Sequence, residues 1–318
     1  MTVTAIEAVD LTKRFGTRGA VQGLTFSAAQ GEVVGLLGPN GAGKTTTIRL
    51  LTTMLEPTSG RFSVAGIPGS RPALIRQVVG VMPESAGYPG EQTGNTYLRY
   101  HARLFGRSRA DATGLAERLL DEVGLGDRAG SRIATYSRGM KQRLGIARAL
   151  VNDPVVVILD EPTLGLDPAG QRQVLGLIRD VAQRRGATVV LSTHTLPDVE
   201  EVCSTVLILA HGKLLDSGTV SAVTAVAAAP RDANLRVPAD RVTQAREAVA
   251  GVGGLRLHEH DEGTNLLRVS LAGEPPAAGG LNAALAAVLA ADVPVLEYEV
   301  DGARLSDAFL AITTDGKR

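Results

Sequence analysis

A run of small residues surrounds one lysine at positions 38–46, where the sequence reads GPNGAGKTT directly after the apolar segment VVGLL. Glycine has no Cβ, so a loop with three glycines can turn its backbone N–H groups inward. A helix that begins at Lys44 would add its free N–H groups and the positive end of its dipole to the same hollow. This stretch predicts a cradle for a polyphosphate, and a glycine-rich structural turn is the alternative.

The spacing of this loop satisfies the pattern G-x-x-x-x-G-K-[ST], which assigns a role to each polar side chain. Lys44 would reach the β- and γ-phosphates of a nucleotide, the Thr45 hydroxyl would ligate Mg²⁺, and Thr46 would touch an α-phosphate. We predict that nine consecutive residues bind the nucleotide: Gly38, Pro39, Asn40, Gly41, Ala42, Gly43, Lys44, Thr45 and Thr46.

Two adjacent carboxylates follow the apolar run VVVIL at residues 155–159. A strand that is apolar on both faces would deliver Asp160 and Glu161 at the carboxyl edge of a parallel sheet, where open α/β sheets bind ligands. Asp160 would hold Mg²⁺ directly or through water, and Glu161 would polarise the attacking water as general base. A solvated loop is the alternative for such a pair, and the phosphate loop upstream disfavours it.

The elements that must position these residues alternate between strands and helices. Strands are predicted at residues 3–11, 20–28, 155–159, 188–193 and 205–210 and in the run before the glycine loop, and mainly helical segments at 44–55, 73–81 and 96–125. This alternation predicts an α/β fold with a mostly parallel sheet.

The pattern changes after Gly218, and we predict a first domain over residues 1–221, an Ala-rich linker with Pro230 over 222–233, and an accessory domain over 234–318. The accessory domain reads strand–helix–strand–strand–helix–strand, followed by a last helix at LSDAFLAI. This order predicts a small ferredoxin-like α+β domain.

A metal site is one interpretation of His258 and His260, because alternate residues of a strand share one face. The segment LRLHEHDE supplies no cysteine or third nearby histidine to complete a ligand set. An exposed strand face is therefore the preferred interpretation.

Composition disfavours several classes of function. Among 318 residues, 33 Lys and Arg balance 33 Asp and Glu, so the chain lacks the charge of a dedicated nucleic-acid binder and no nucleic acid partner is expected. The single cysteine, Cys203, permits no internal disulfide and suits a reducing cytosol. We expect no signal peptide, and the apolar runs fall far short of the ~20 residues of a membrane helix. Another chain is expected to supply any membrane crossing.

A more specific signal is YSRGMKQR at residues 136–143, which resembles the signature motif of ATP-binding-cassette (ABC) ATPases. Ser137 and Gly139 match the usual LSGGQ of that motif. Tyr136, Arg138 and Met140 differ from it. GLDP at residues 165–168 resembles the D-loop of the family, and LSTH resembles its switch-histidine motif. With Phe15 in LTKRFG, the ordered motifs cover residues 3 to about 218.

The resemblance implies a P-loop NTPase cassette with a RecA-like parallel core, an antiparallel β subdomain and a helical subdomain, with ATP and Mg²⁺ as cofactors. It implies that Phe15 stacks on adenine, that His194 contacts the γ-phosphate within its own chain, and that Asp167 acts across a subunit interface. It further implies that Ser137 and Gly139 bind the γ-phosphate held by the opposite subunit.

At one position an acidic residue stands where the family usually has a neutral one. Cassettes usually carry a glutamine that touches Mg²⁺ between the phosphate loop and the signature, and VGVMPES places Glu84 there. A carboxylate can also bind Mg²⁺, since it is a hard anionic ligand. Its charge near the γ-phosphate would be unfavourable unless the metal or Arg138 offsets it. A register that uses Gln92 instead requires an eight-residue shift.

The motifs YSRGMKQRL, PES and LSDAFLAIT are similar to those of exporter ATPases of the daunorubicin-resistance type. This resemblance implies ATP hydrolysis by a head-to-tail homodimer that drives separately encoded integral-membrane permease subunits, with export of drugs or other hydrophobic small molecules. The protein would be cytoplasmic and peripheral on the inner face of the cell membrane.

Two other functions stay open. A soluble cassette ATPase acting on ribosomes or DNA is disfavoured by the single cassette, the lack of a coiled-coil insertion and the neutral charge. A nucleotide or small-molecule kinase shares the phosphate loop but leaves the signature and LSTH without a role.

Overall fold

The chain divides into two units, Met1–Val220 and Ser221–Arg318. The structure, a computed structural model, describes residues 3–85, 87–227, 232–258, 265–272 and 280–301, together with 305 and 309. Each unit has its own cluster of buried apolar side chains.

Two sheets form the framework of the first unit. An antiparallel sheet has the order β2-β1-β4-β5, and its strands are β1 (Thr4–Phe15), β2 (Arg18–Ala29), β4 (Ser59–Val64) and β5 (Ile67–Pro68). The central sheet has the order β10-β9-β3-β8-β7-β6, and its strands are β3 (Val33–Leu37), β6 (Val79–Met82), β7 (Val156–Asp160), β8 (Thr188–Thr193), β9 (Thr205–Ala210) and β10 (Lys213–Thr219). All neighbours in the central sheet are parallel except β9 and β10, so the prediction of a mostly parallel sheet is confirmed.

Helices cover the central sheet, and several begin at a side chain that accepts a backbone N–H. Thr93, Ser108, Ser137 and Asp167 each accept from the residue three positions on, which satisfies one unpaired donor of the first turn. The helices of the first unit are α1 (Lys44–Leu51), α2 (Pro72–Val78), α3 (Gly94–Leu104), α4 (Arg109–Glu122), α5 (Arg138–Ala149), α6 (Pro168–Arg185) and α7 (Leu196–Val202). The next helix in the chain, α8 (Val220–Ala227), begins at the boundary between the two units.

The central strands are buried on both faces because alternate side chains enter different apolar clusters. In β7, Val157 and Leu159 pack in the cluster that contains the apolar residues of α3 to α6. Val156 and Ile158 pack in the cluster that contains the antiparallel sheet and α1. This two-sided burial explains why the strand reads as a continuous apolar run instead of an alternating one.

The second unit has the predicted order of elements. Its elements are β11 (Asp232–Arg236), α9 (Val242–Ala250), β12 (Leu255–Leu257), β13 (Leu266–Leu271), α10 (Asn282–Ala290) and β14 (Glu297–Asp301). The strands form one antiparallel sheet in the order β12-β13-β11-β14. The ferredoxin-like prediction is therefore confirmed. The last predicted helix, LSDAFLAI, lies outside the described residues except at Leu305 and Phe309.

Four predicted segments differ from the structure. The helix predicted at residues 73–81 ends at Val78, because residues 79–82 pair with β7 as the edge strand β6. The helix predicted at 44–55 ends at Leu51, and the segment 96–125 is two helices, α3 and α4. The predicted linker overlaps α8 and β11, since its Ala-rich start favours a helix.

In the described part of the chain, no helix combines the length and the apolar character needed to cross a bilayer.

A histidine in α3 makes the stability of the first unit depend on pH. The ring of His101 lies 4.6 Å from that of Tyr97 and 5.5 Å from that of Tyr100, centroid to centroid. Burial, with a smaller contribution from the charge of Arg148, lowers the pKa of His101 from 6.5 to about 4.

We predict that His101→Gln flattens the acid side of the stability profile. Between about pH 6.5 and pH 4 this histidine is protonated in the unfolded chain and neutral in the folded one. The free energy of unfolding of the wild type therefore falls as the pH falls through this window. Urea unfolding at pH 7.5, 6 and 5 measures the effect. An equal loss of unfolding free energy in wild type and variant would show that His101 does not cause it.

Candidate nucleotide-binding site

The glycine loop connects β3 to α1 by a path whose backbone angles favour glycine at two points. Gly41 and Gly43 have positive φ angles of 81° and 107°. A Cβ on Gly43 would lie 2.7 Å from the carbonyl oxygen of Ala20, and one on Gly38 would collide with the carbonyl oxygen of Leu209. The loop therefore packs against neighbouring backbone on one side and leaves its other side open to the cleft described below.

The ammonium group of Lys44 is buried inside this loop. Its Nζ donates a hydrogen bond to the carbonyl oxygen of Gly38 at 2.5 Å and lies 3.8 Å from Oε1 of Glu161. A buried cation is stable only where acceptors and anions surround it, and these two groups supply them. Lys44 thus joins the loop after β3 to the residue that follows β7.

Ser192, a residue that the sequence analysis did not assign, fixes both acidic residues at the end of β7. Its Oγ donates to Oδ1 of Asp160 at 2.5 Å and accepts the backbone N–H of Glu161 at 3.1 Å. Nδ1 of His194 lies 2.9 Å from Oε2 of Glu161. Ser192 belongs to the LSTH motif, so its position beside His194 was the available signal.

A second pair of side chains, also missed from the sequence, anchors the segment after Glu161. Glu161 has a left-handed φ of 50°, and Oγ1 of Thr163 donates to Oδ2 of Asp198 at 2.5 Å. Both members of this pair are buried. Burial raises the pKa of the Asp198 carboxyl, while the Thr163 hydrogen bond acts in the opposite direction. The pair ties the turn after β7 to α7, which follows the switch histidine.

One cleft of about 880 Å³ brings most of the predicted residues together, a volume within the range of small-molecule sites. Its lining includes Phe15, residues 39–46, Glu84, Glu161 and His194. Phe15 is 50% exposed, and Nζ of Lys13 lies over its ring at 5.4 Å from the centroid. Additional lining side chains are Arg18, Gln22, Leu164 and His211. Gly38 and Asp160 do not line the cleft. The carbonyl oxygen of Gly38 accepts a hydrogen bond from Lys44, which lines it, and Asp160 accepts one from Ser192, which also holds the backbone of Glu161.

The signature residues are absent from the lining of this cleft. Ser137 is exposed and caps α5, with its Oγ accepting the N–H of Met140 at 3.3 Å. Gly139 lies next to the D-loop, since a Cβ built on it would be 3.8 Å from Cδ2 of Leu166. The signature and the D-loop therefore form one neighbouring surface.

The residues of the cleft suit a triphosphate with a magnesium ion. The loop offers backbone N–H groups and one ammonium, and Thr45 and Glu84 place hard oxygens in the same cleft. Among the described residues, no group of three or more His, Cys, Asp and Glu side chains could hold a metal alone.

His258, one of the two histidines considered for a metal site, does not line this cleft. Nε2 of His258 is 2.9 Å from Oγ of Ser270, a residue of β13, and the side chain of His258 is exposed. His260 lies outside the described residues.

Two known proteins are similar to this chain over about two thirds of its length. The Nod factor export ATP-binding protein I of Rhizobium sp. (strain N33) is 39% identical over 224 residues, which cover 70% of this chain and 73% of that protein. The bacitracin transport ATP-binding protein of Bacillus licheniformis is 39% identical over 215 residues, which cover 67% of this chain and 69% of that protein. This chain belongs to the ABC transporter ATP-binding proteins.

Two further comparisons agree with this assignment, and the family match lies within the first unit. The family model described as ABC transporter matches residues 21–164. A solved ATP-binding subunit of an ABC transporter is 33% identical, with a TM-score of 0.63 over 70% of this chain and 93% of that one. The prediction of a P-loop cassette with a parallel core, an antiparallel β subdomain and a helical subdomain is confirmed.

We predict that Thr163→Val destabilises the cassette by about 1–3 kcal/mol, because it leaves the buried Asp198 carboxylate without its hydroxyl donor at nearly unchanged side-chain volume. Urea unfolding measures the loss. Thr163→Ser keeps the donor and serves as the control. Equal unfolding free energies for the valine and serine variants would show that the hydrogen bond does not stabilise the fold.

Proposed function

We propose that this ABC cassette hydrolyses ATP as a head-to-tail homodimer and thereby drives export through separately encoded integral-membrane permease subunits. The observation that carries the proposal is the separation of two parts of one site. The cleft holds the phosphate loop, Glu161 and His194, whereas Ser137 and Gly139 stand outside it on the same chain. A second copy in head-to-tail orientation would bring its signature to the open side of each cleft.

In this proposal the glycine loop binds the phosphates of ATP, and the carboxylate of Glu161 accepts the proton of the attacking water. Lys44 and the backbone N–H groups of residues 39–46 hold the phosphates, and their contacts to a charged ligand are charge-assisted. Bound Mg²⁺ would neutralise charge on the phosphate oxygens, with Thr45, Asp160 and Glu84 as its protein ligands or water-mediated partners. Phe15 would stack on adenine.

Glu161 is the proposed general base, and its surroundings hold it in place. Its backbone N–H is fixed by Ser192 and its Oε2 by His194, so Oε1 and Oε2 stay at the cleft wall next to Lys44. The carboxylate would accept the proton of the attacking water, whose oxygen then bonds to the terminal phosphorus as the bond to ADP breaks. His194 would hold the carboxylate and contact the γ-phosphate.

The coupling to transport follows from the order of these events. ATP joins two copies because each signature completes the other cleft, and hydrolysis removes the ligand that joins them. Closing and reopening is a two-state element that permease subunits could convert into alternating access. The names of the two relatives, which refer to Nod factor export and bacitracin transport, favour export. We infer a position on the inner face of the cell membrane, held through the permease, with a drug or another hydrophobic small molecule as cargo.

We predict that Glu161→Gln lowers the ATP turnover of the cassette on the order of 100-fold or more and lets ATP-bound dimers accumulate, because the base is lost while the phosphate contacts remain. Turnover is measured by phosphate release and dimers by small-angle scattering with Mg-ATP. Unchanged turnover in this variant would refute the assignment of Glu161 as the base.

Lys44→Ala should act on a different step. It removes the ammonium group of the loop, so nucleotide affinity should fall on the order of 10- to 100-fold. Equilibrium binding of a fluorescent ATP analogue measures this loss. Affinity within twofold of wild type would show that Lys44 does not bind the phosphates.

A native pull-down tests the transport assignment itself. The full chain, retrieved from membranes of its own cells, should bring down a polytopic membrane protein in an ATP-dependent manner. Enrichment of ribosomal proteins in place of a membrane protein would favour the soluble ATPase alternative.

A further inference from the structure

Two charged residues, Glu84 and Arg138, depart from the family motifs with opposite signs. Glu84 stands where glutamine is usual, and Arg138 stands where the signature usually has glycine. Neither residue forms an ion pair with another side chain in the parts of the chain described by the structure. Both side chains are exposed, and neither charge has an ionic partner among the described residues.

Glu84 adds negative charge to a cleft that already holds Glu161. The permanent cations that line the same cleft are Lys44 and Arg18. Nζ of Lys44 lies 3.8 Å from Oε1 of Glu161, so its single charge would be shared between that carboxylate and the phosphates. A bound triphosphate would bring several more negative charges, which Lys44 and Mg²⁺ would offset only in part, so a further cation near the terminal phosphate would be favourable.

Arg138 is held on the surface that carries the signature and the D-loop. Its guanidinium lies against Gly165, so closely that a Cβ on Gly165 would collide with its Cζ and Nη1 atoms. Gly165 has a positive φ of 69°, and both residues are exposed. The absent side chain of the D-loop glycine thus makes room for the planar guanidinium, which keeps the charge beside Ser137 and Gly139.

We propose that Arg138 of one copy contacts the terminal phosphate in the cleft of the second copy and offsets the carboxylate of Glu84 there. This inference rests on the head-to-tail homodimer proposed above. It places both unusual residues in one site that the two copies share. One copy contributes the carboxylate of Glu84 in place of a neutral amide, and the other contributes the guanidinium of Arg138 in place of a glycine. Arginine suits this position because its planar donors fit phosphate and its charge is permanent.

The test measures how much ATP is needed to join two copies. All variants carry Glu161→Gln to prevent turnover, and sedimentation velocity gives the Mg-ATP concentration at half-maximal dimer. Arg138→Gln should raise this concentration at least about tenfold, because a charge-assisted contact is lost. Arg138→Lys should recover part of the loss. Adding Glu84→Gln to Arg138→Gln should return the value to within about threefold of the parent, since the charge that needed compensation is gone.

Arg109→Gln is the matched control. Arg109 is the first residue of α4 and follows a serine cap, as Arg138 does in α5, and it is also exposed. The same loss of charge at an equivalent helix position should leave the half-maximal ATP concentration unchanged.

The outcomes separate this inference from the proposed function. If the Glu161→Gln parent forms no dimer at any ATP concentration, the homodimer itself is refuted. If the parent dimerises and Arg138→Gln dimerises at the same concentration, Arg138 makes no contact with the phosphate and the inference is wrong. If Arg138→Gln weakens dimerisation and Glu84→Gln does not restore it, or if Arg109→Gln weakens it equally, the compensation between Glu84 and Arg138 is refuted.

Discussion

The buried ammonium of Lys44 is the interaction on which the site depends. It lies between the Gly38 carbonyl and the Glu161 carboxylate, at the ends of two strands that are not adjacent in the sheet. The loop can hold it there only because glycines permit the backbone to pack against its neighbours and turn inward. When phosphate is bound, the same ammonium would also have an anionic partner in the cleft. Lys44 would therefore contact both the nucleotide and the carboxylate of Glu161.

The central sheet makes this arrangement rigid. β8 lies between β3 and β7, and its carboxyl end supplies Ser192 next to the two acidic residues. Side chains on both faces of these strands are buried in separate apolar clusters, which fixes the strand ends against each other. The loops at this edge can therefore carry strained residues such as Glu161, whose φ is positive. Rigid strands thus bring the glycine loop, Glu161 and His194 to one edge of the sheet, where Lys44 and His194 both contact Glu161.

The sequence predicted those parts of the structure that depend on local patterns. The phosphate loop, β8, β9 and the order of elements in the second unit follow from turn residues, apolar runs and spacing. β6 was mistaken for helix because its strand character comes from pairing with β7, about 75 residues along the chain. Ser192 and the pair of Thr163 and Asp198 were missed because their roles exist only in tertiary contacts. The Ala-rich segment after Gly218 formed α8 because propensity for a helix outweighs the linker composition there.

Mixing two inactive chains tests most directly whether each copy completes the cleft of the other. Lys44→Ala disables the loop, and Gly139→Asp places a carboxylate in the signature, where the structure leaves room for a side chain. In a head-to-tail dimer of one copy of each, one cleft keeps an intact loop facing an intact signature. Phosphate release by the equimolar mixture should therefore reach about a quarter of the wild-type rate, because half of freely mixed dimers contain one such site. A rate no higher than the sum of the two variants alone would contradict the account.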